Sequence, residues 1–150
     1  MENIIKRPIN LNRIRQITHS DCVGRAEEIH THDEILVKWT DISGHTNQRY
    51  KKIAVRRGKG IAGVIYKTGK PWIVEDVNIE IHPAERHQYP ILMSEKIQSF
   101  IAVPIIENNM PEGVILIGYR KPNRVKKSLT MNYIRDIQTV CQCELGGVHL

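Results

Sequence analysis

Two continuous apolar runs, Phe100–Ile106 and Gly113–Tyr119, constrain the fold of this chain more than any other feature. Between them Glu107–Glu112 carries Asn108-Asn109 and Pro111, all turn formers. Short runs rich in Ile and Val, bounded by turn residues, read as strands that are apolar on both faces. Such strands belong in the middle of a sheet, and the turn between them makes the pair a hairpin.

The other elements arrange themselves around that hairpin. Leu11, Ile14 and Ile17 are spaced for one side of a short helix ending near Thr18, and Thr18-His19-Ser20-Asp21 breaks it. Cys22–Ile29 fits a strand or a helix equally. From Asp33 onward Ile35, Val37 and Trp39 alternate with Leu36, Lys38 and Thr40, a strand pattern. Asp41–Asn47 is rich in turn residues, and Gln48–Arg56 reads as a further strand. Gly58–Gly63 then turns the chain into a helix over Ile61–Lys67, which Gly69 and Pro71 end. Trp72–Val77 is another strand. The stretch from there to Ser99 has no sustained period, although helices could start at Pro83 and near Leu92. Lys121–Ser128 is a basic loop, and Thr130 is placed to N-cap a last helix with the apolar stripe Ile134, Ile137, Cys141 and Leu145. Hairpin-joined strands with a helix near each end of the chain predict an α+β fold, a mainly antiparallel sheet covered by helices. Residues 1–10 read as an arm and 11–150 as one domain, with no repeat or linker.

Composition narrows the function. The 150 residues suffice for one hydrophobic core, and 41% hydrophobic with 25% charged residues is an ordinary globular balance. No apolar run is long enough to span a bilayer, and Met1–Pro8 lacks the apolar stretch of a signal peptide, so a cytosolic location is expected. Cys22, Cys141 and Cys143 are odd in number and lack the spacing of a disulfide framework or a C-x-x-C motif, which predicts reduced thiols. His30-x-His32 and the pair His82 and His87 lack the partners and spacing of a zinc site. The net charge of +6 is spread along the chain, with small clusters at Arg56–Lys59 and Lys121–Lys127. Without a basic helical stripe and interleaved aromatics, this pattern disfavours nucleic acid and leaves an anionic ligand or an acidic partner.

Gly58-Lys59-Gly60-Ile61-Ala62-Gly63 matches G-x-G-x-x-G. The following helix is too short for a βαβ crossover, and the motif comes after strands that read as antiparallel, which argues against a dinucleotide site. The physical content survives. Glycines let the backbone approach a ligand, and unpaired N–H groups at a helix start favour an anion. Gly60-Ile61-Ala62 is thus a candidate anion site; the plainer alternative is a tight strand-to-helix turn.

Together with Thr68-Gly69-Lys70-Pro71-Trp72-Ile73-Val74-Glu75-Asp76-Val77 and the strands Ser99–Ile105 and Glu112–Gly118, this motif resembles a GAF domain. The resemblance implies a GAF fold, with terminal helices on one face of the sheet and a ligand pocket on the other. The chain length, with Leu11-Asn12-Arg13, Val37-Lys38-Trp39 and Tyr89-Pro90-Ile91-Leu92, is similar to that of single-domain nitrate receptors in bacterial oxygen and nitrate regulation. That resemblance implies a small buried nitrate pocket lined by Trp39, Ile61, Ala62, Tyr89, Pro90 and Ile91. It implies a cytoplasmic regulator rather than an enzyme, with no catalytic residues, metal or cofactor. Its implied partner is a sensor histidine kinase of a two-component system, whose autophosphorylation is held down by the ligand-free protein and released with nitrate. No nucleic acid or membrane is implied, and a homodimer stays open. On the residues alone, core packing is the preferred reading of Trp39 and a surface loop aromatic that of Tyr89.

Two alternatives stand beside this reading. Free methionine-R-sulfoxide reductases share the GAF fold but need pocket cysteines, and no cysteine falls in the Asp76–Ser99 stretch expected to cover the pocket. A GAF module for another small anion or metabolite is the other.

Overall fold

The computed structural model describes residues 8–141 and 144–145. Its strands are β1 (Cys22–His30), β2 (Ile35–Ser43), β3 (Ala54–Arg56), β4 (Trp72–Val74), β5 (Ser99–Glu107), β6 (Met110–Tyr119) and β7 (Glu144–Leu145). They form an antiparallel sheet in the order β3-β2-β1-β6-β5-β4, with β7 pairing with Ile105 and Ile106 of β5. The apolar hairpin is indeed interior: β6 lies between β1 and β5. Its turn is tighter than the sequence suggests. Asn108 and Asn109 alone make it, at φ 53° and 63°, the left-handed pair that matches the twist of the flanking strands.

Helices α1 (Leu11–Thr18) and α5 (Thr130–Cys141) contact each other and bury Leu11, Ile14, Ile134 and Ile137 in one core. Ile101, Val103, Ile115 and Ile117 of the central hairpin belong to this core. Phe100, Ala102, Val114 and Leu116 belong to a second core, with α2 (Gly60–Thr68) and α4 (Pro90–Ser94). Successive side chains of a strand point to opposite faces, so each central strand feeds both cores, which is why β5 and β6 are apolar throughout. At the chain start Asn10 caps α1, its Oδ1 accepting the Arg13 N–H at 3.0 Å.

The sequence expectations fail where alternation breaks. Cys22–His30 is a strand, which resolves its ambiguity. β2 runs on to Ser43 through the stretch expected to turn, because a bulge opposite Arg25 and Ala26 resets its phase at Thr40. Gln48–Arg56 is not one strand: Arg49–Lys52 is a 3-10 turn that buries Tyr50, and only Ala54–Arg56 joins the sheet. β4 ends at Val74 because Asp76 caps the short helix α3 (Val77–Glu80), accepting the Asn78 N–H. Thr130 is already helical rather than an N-cap, its hydroxyl donating to the Lys127 carbonyl at 2.7 Å. Leu145, expected on the last helix, lies on β7. Cys141 is disulfide-bonded, against the expectation of reduced thiols; Cys143 lies outside the described residues. Ile35, expected to face inward with Val37 and Trp39, is 49% exposed near the sheet edge.

Candidate functional site

The face opposite the terminal helices gathers most of the residues singled out from the sequence. Trp39 of β2, Ile61 and Ala62 of α2 and Ile91 of α4 are buried in one apolar cluster, with Tyr89 packed against it. Pro90 is half-buried as the first residue of α4, the helical position at which proline is best tolerated. Three separate chain segments thus meet, and each arrives for a local reason. Trp39 points inward on the same alternation as Val37. Its indole is accommodated by Gly24 on β1, where a Cβ would stand 3.2 Å from Cε3 and Cζ3 of the ring. α2 buries Ile61, Ala62 and Ile65, one apolar face of a two-turn helix. Tyr89 is held by Trp72, edge to face at 5.6 Å, and Trp72 meets Phe100 in the same manner at 5.4 Å.

The glycine motif builds the entry to α2. Gly58 and Gly60 stand at φ 87° and 65°, a region that a side chain disfavours. Gly63 is needed for close approach instead: a Cβ there would lie 2.2 Å from the Arg56 carbonyl oxygen. Gly63→Ala should therefore destabilise the fold by about 1–3 kcal/mol, the usual cost of overpacking, read as a lower denaturant midpoint at unchanged slope. Lys59, the N-cap of α2, supplies no side-chain acceptor, so the first-turn N–H groups of Ile61 and Ala62 stay available to another acceptor. Two further donors are unused. Among the described residues, neither the Trp39 indole N–H nor the Tyr89 hydroxyl forms a hydrogen bond. Trp39 is buried and Tyr89 half-buried, and the same cluster holds Tyr50, Tyr66 and Trp72, whose polar atoms likewise form no hydrogen bond among the described residues.

A buried ion pair, which the sequence reading missed, anchors α4. Glu95, its C-cap, is 0% exposed. Its Oε1 accepts from Arg120 Nη2 at 2.8 Å and from the Thr46 N–H at 2.9 Å. Arg120 also donates from Nε to the Glu95 carbonyl at 2.9 Å and from Nη2 to the Gly44 carbonyl at 3.0 Å. The helix carrying Ile91 is thereby tied to the turn after β2 and to the end of β6. The available signal was slight, two adjacent charges, Glu95 and Lys96, between the apolar residues Ile91–Met93 and Ile97; the partner, distant in sequence, gave none.

Cys22 belongs to the same core cluster as Trp39, but its environment is that of a buried structural thiol. Burial pushes its pKa from 9.0 up to about 12, against a smaller opposing pull from Arg120. The unfolded thiol ionises first as pH rises, so its contribution to stability is intact below about pH 9 and is lost between there and pH 12. At neutral pH, Cys22 in the folded protein should resist thiol reagents and become reactive only on unfolding, as labelling with and without denaturant would show. Among the described residues, no group of three or more His, Cys, Asp or Glu side chains is placed to hold a metal ion, and no helix is long and apolar enough to cross a membrane.

This chain belongs to the GAF domain family, whose family model matches residues 10–142. It is similar to an NreA protein from Staphylococcus aureus, mutated in its nitrate binding site, with 34% identity and a TM-score of 0.72 over 78% of this chain and 86% of that one. A hypothetical protein, SA1058 from S. aureus, is 35% identical with a TM-score of 0.71, covering 75% of this chain and 93% of that one. The free methionine-R-sulfoxide reductase from Neisseria meningitidis shares the fold at 17% identity and a TM-score of 0.64, over 88% of this chain and 71% of that one. No curated protein matches the chain.

Proposed function

We propose that this protein is a nitrate-binding sensor, with the ligand held among Trp39, Ile61, Ala62, Tyr89, Pro90 and Ile91. What supports the proposal is that Trp39, Ile61, Ala62, Tyr89 and Ile91 share one apolar cluster, in which the Trp39 indole N–H, the Tyr89 hydroxyl and the first turn of α2 have no side-chain acceptor among the described residues. Nitrate spreads one charge over three oxygens and is weakly hydrated. A few donors in an apolar cage suit it better than a lysine, and the positive end of the α2 dipole favours its charge. The similarity to NreA, which has a nitrate binding site, supports the same ligand.

Output follows from linkage. A ligand that binds one conformation better than another shifts the population, and any partner that prefers the other conformation is opposed reciprocally. In this reading the protein is cytoplasmic and is not an enzyme. Its partner is a sensor histidine kinase, whose autophosphorylation the ligand-free form restrains and nitrate releases. Thermal unfolding with nitrate or matched chloride tests the ligand. At a hundredfold excess over Kd, nitrate should stabilise the protein by about 2.7 kcal/mol while chloride leaves it unchanged. Stabilisation by nitrite or chlorate in place of nitrate would reassign the anion.

A further inference from the structure

The segment that carries Tyr89 and Ile91 also has an outward feature. A cleft of about 240 Å3 lies between α3 and α4. Leu92 and Ile97 line it, and both belong to the core cluster that holds Trp39. Arg86 and Lys96 line it as well. The Nε of Arg86 is buried without a hydrogen-bond partner, and among the described residues neither cation forms an ion pair. Of the carboxylates of the same segment, Asp76 caps α3, Glu80 pairs with Lys127 and Glu95 pairs with Arg120, while Glu85, next to Arg86 in sequence, is exposed and forms no ion pair among the described residues.

Two local features run against ordinary surface design. Lys96 sits at φ 56° in a Schellman turn, its N–H donating to the Met93 carbonyl and the Ile97 N–H to that of Leu92. That position favours glycine, so the lysine is kept there at a cost to local stability. Met93, on the cleft, is 64% exposed, and Ile79 on α3 is 81% exposed. An unpaired guanidinium calls for a planar anion that it can grip with two bonds, and a carboxylate fits that geometry. The exposed apolar side chains call for cover that a small ion does not provide.

We propose that the α3–α4 cleft is a docking site for an acidic segment of a partner protein, one that sets a carboxylate against Arg86 and Lys96 and an apolar side chain against Met93. That the cleft docks such a segment does not rest on the nitrate reading. That nitrate alters it, through the core residues Leu92 and Ile97 shared by cleft and cluster, rests on the nitrate-sensing reading.

The test uses the full chain and a fluorescein-labelled peptide of leucine pairs flanked by glutamates, read by fluorescence anisotropy. Saturable binding with a Kd below about 1 mM is expected. It should weaken at least about tenfold, roughly 1.4 kcal/mol, in Arg86→Gln/Lys96→Gln and stay within about twofold in the charge-matched control Lys51→Gln/Lys52→Gln. Equal loss in both variants would show diffuse attraction to a basic protein and overturn the site. So would absence of binding, or binding to phosphatidylglycerol vesicles but not to the peptide. Nitrate calorimetry on the same samples keeps the two ideas apart: nitrate binding without peptide binding sinks the cleft alone. Peptide binding without nitrate binding keeps the cleft and sinks the sensing reading.

Discussion

Arg120→Ala is expected to lower the unfolding free energy by about 3–5 kcal/mol, a large share of the stability of a domain this size. Glu95 is fully buried, and Arg120 is its only charged partner among the described residues. With the guanidinium gone, Glu95 Oε1 keeps the Thr46 N–H and the hydroxyl contact of that residue, while Oε2 has no partner even in the intact protein. A buried carboxylate that loses its counter-charge costs more than the pair contributed, because desolvation is no longer offset. Chemical denaturation of Arg120→Ala, Glu95→Gln and the double variant separates the terms. The double variant should be more stable than Arg120→Ala, since the amide removes the stranded charge. Additive losses would mean that the two residues do not act as a pair. A functional consequence follows from position. Glu95 ends the helix that bears Ile91, so nitrate affinity in Arg120→Ala should fall further than its stability loss alone explains.

Trp39→Ala is the second large effect. The side chain is 1% exposed and lies against Gly24, Ala26 being its neighbour across the sheet. Truncation leaves a void in a close-packed core and should cost about 3–5 kcal/mol. It should also abolish nitrate binding, though a destabilised protein makes that ambiguous. Trp39→Phe separates the two contributions. It keeps most of the apolar volume, should cost less than half as much stability, and removes the indole N–H. A variant that is well folded by near-ultraviolet circular dichroism yet binds nitrate at least tenfold more weakly would assign the donor role to that N–H.

What was legible in the sequence was whatever follows from local periodicity. The α1 stripe, the inward alternation of Val37 and Trp39 on β2, the Gly69 stop of α2 and the two-faced apolar hairpin all depend on near neighbours, and each stands where expected. Errors arose where a distant contact overrode the local signal. The bulge at Thr40 is defined by its pairing with β1, and Tyr50 is drawn out of a strand into the core. Glu95 is tolerated inside only because Arg120 reaches it from the end of β6. The chosen cluster residues lie on separate elements, and no spacing in one chain reveals that they meet; the GAF resemblance brought them together. Gly24 shows the limit most clearly. Its reason for being glycine is the face of Trp39 on the neighbouring strand, invisible until the two strands are paired.

The central claim is that the Trp39 cluster binds nitrate through donors that the protein leaves unused. Isothermal titration of the purified chain with sodium nitrate, against sodium chloride, tests it directly when run on wild type, Trp39→Phe and Tyr89→Phe. The account predicts saturable one-to-one binding to the wild type, no heat of binding with chloride, and at least tenfold weaker binding in both variants, each of which stays folded. Absence of binding to the wild type at nitrate concentrations above about 1 mM, or binding that both variants retain unchanged, would contradict it.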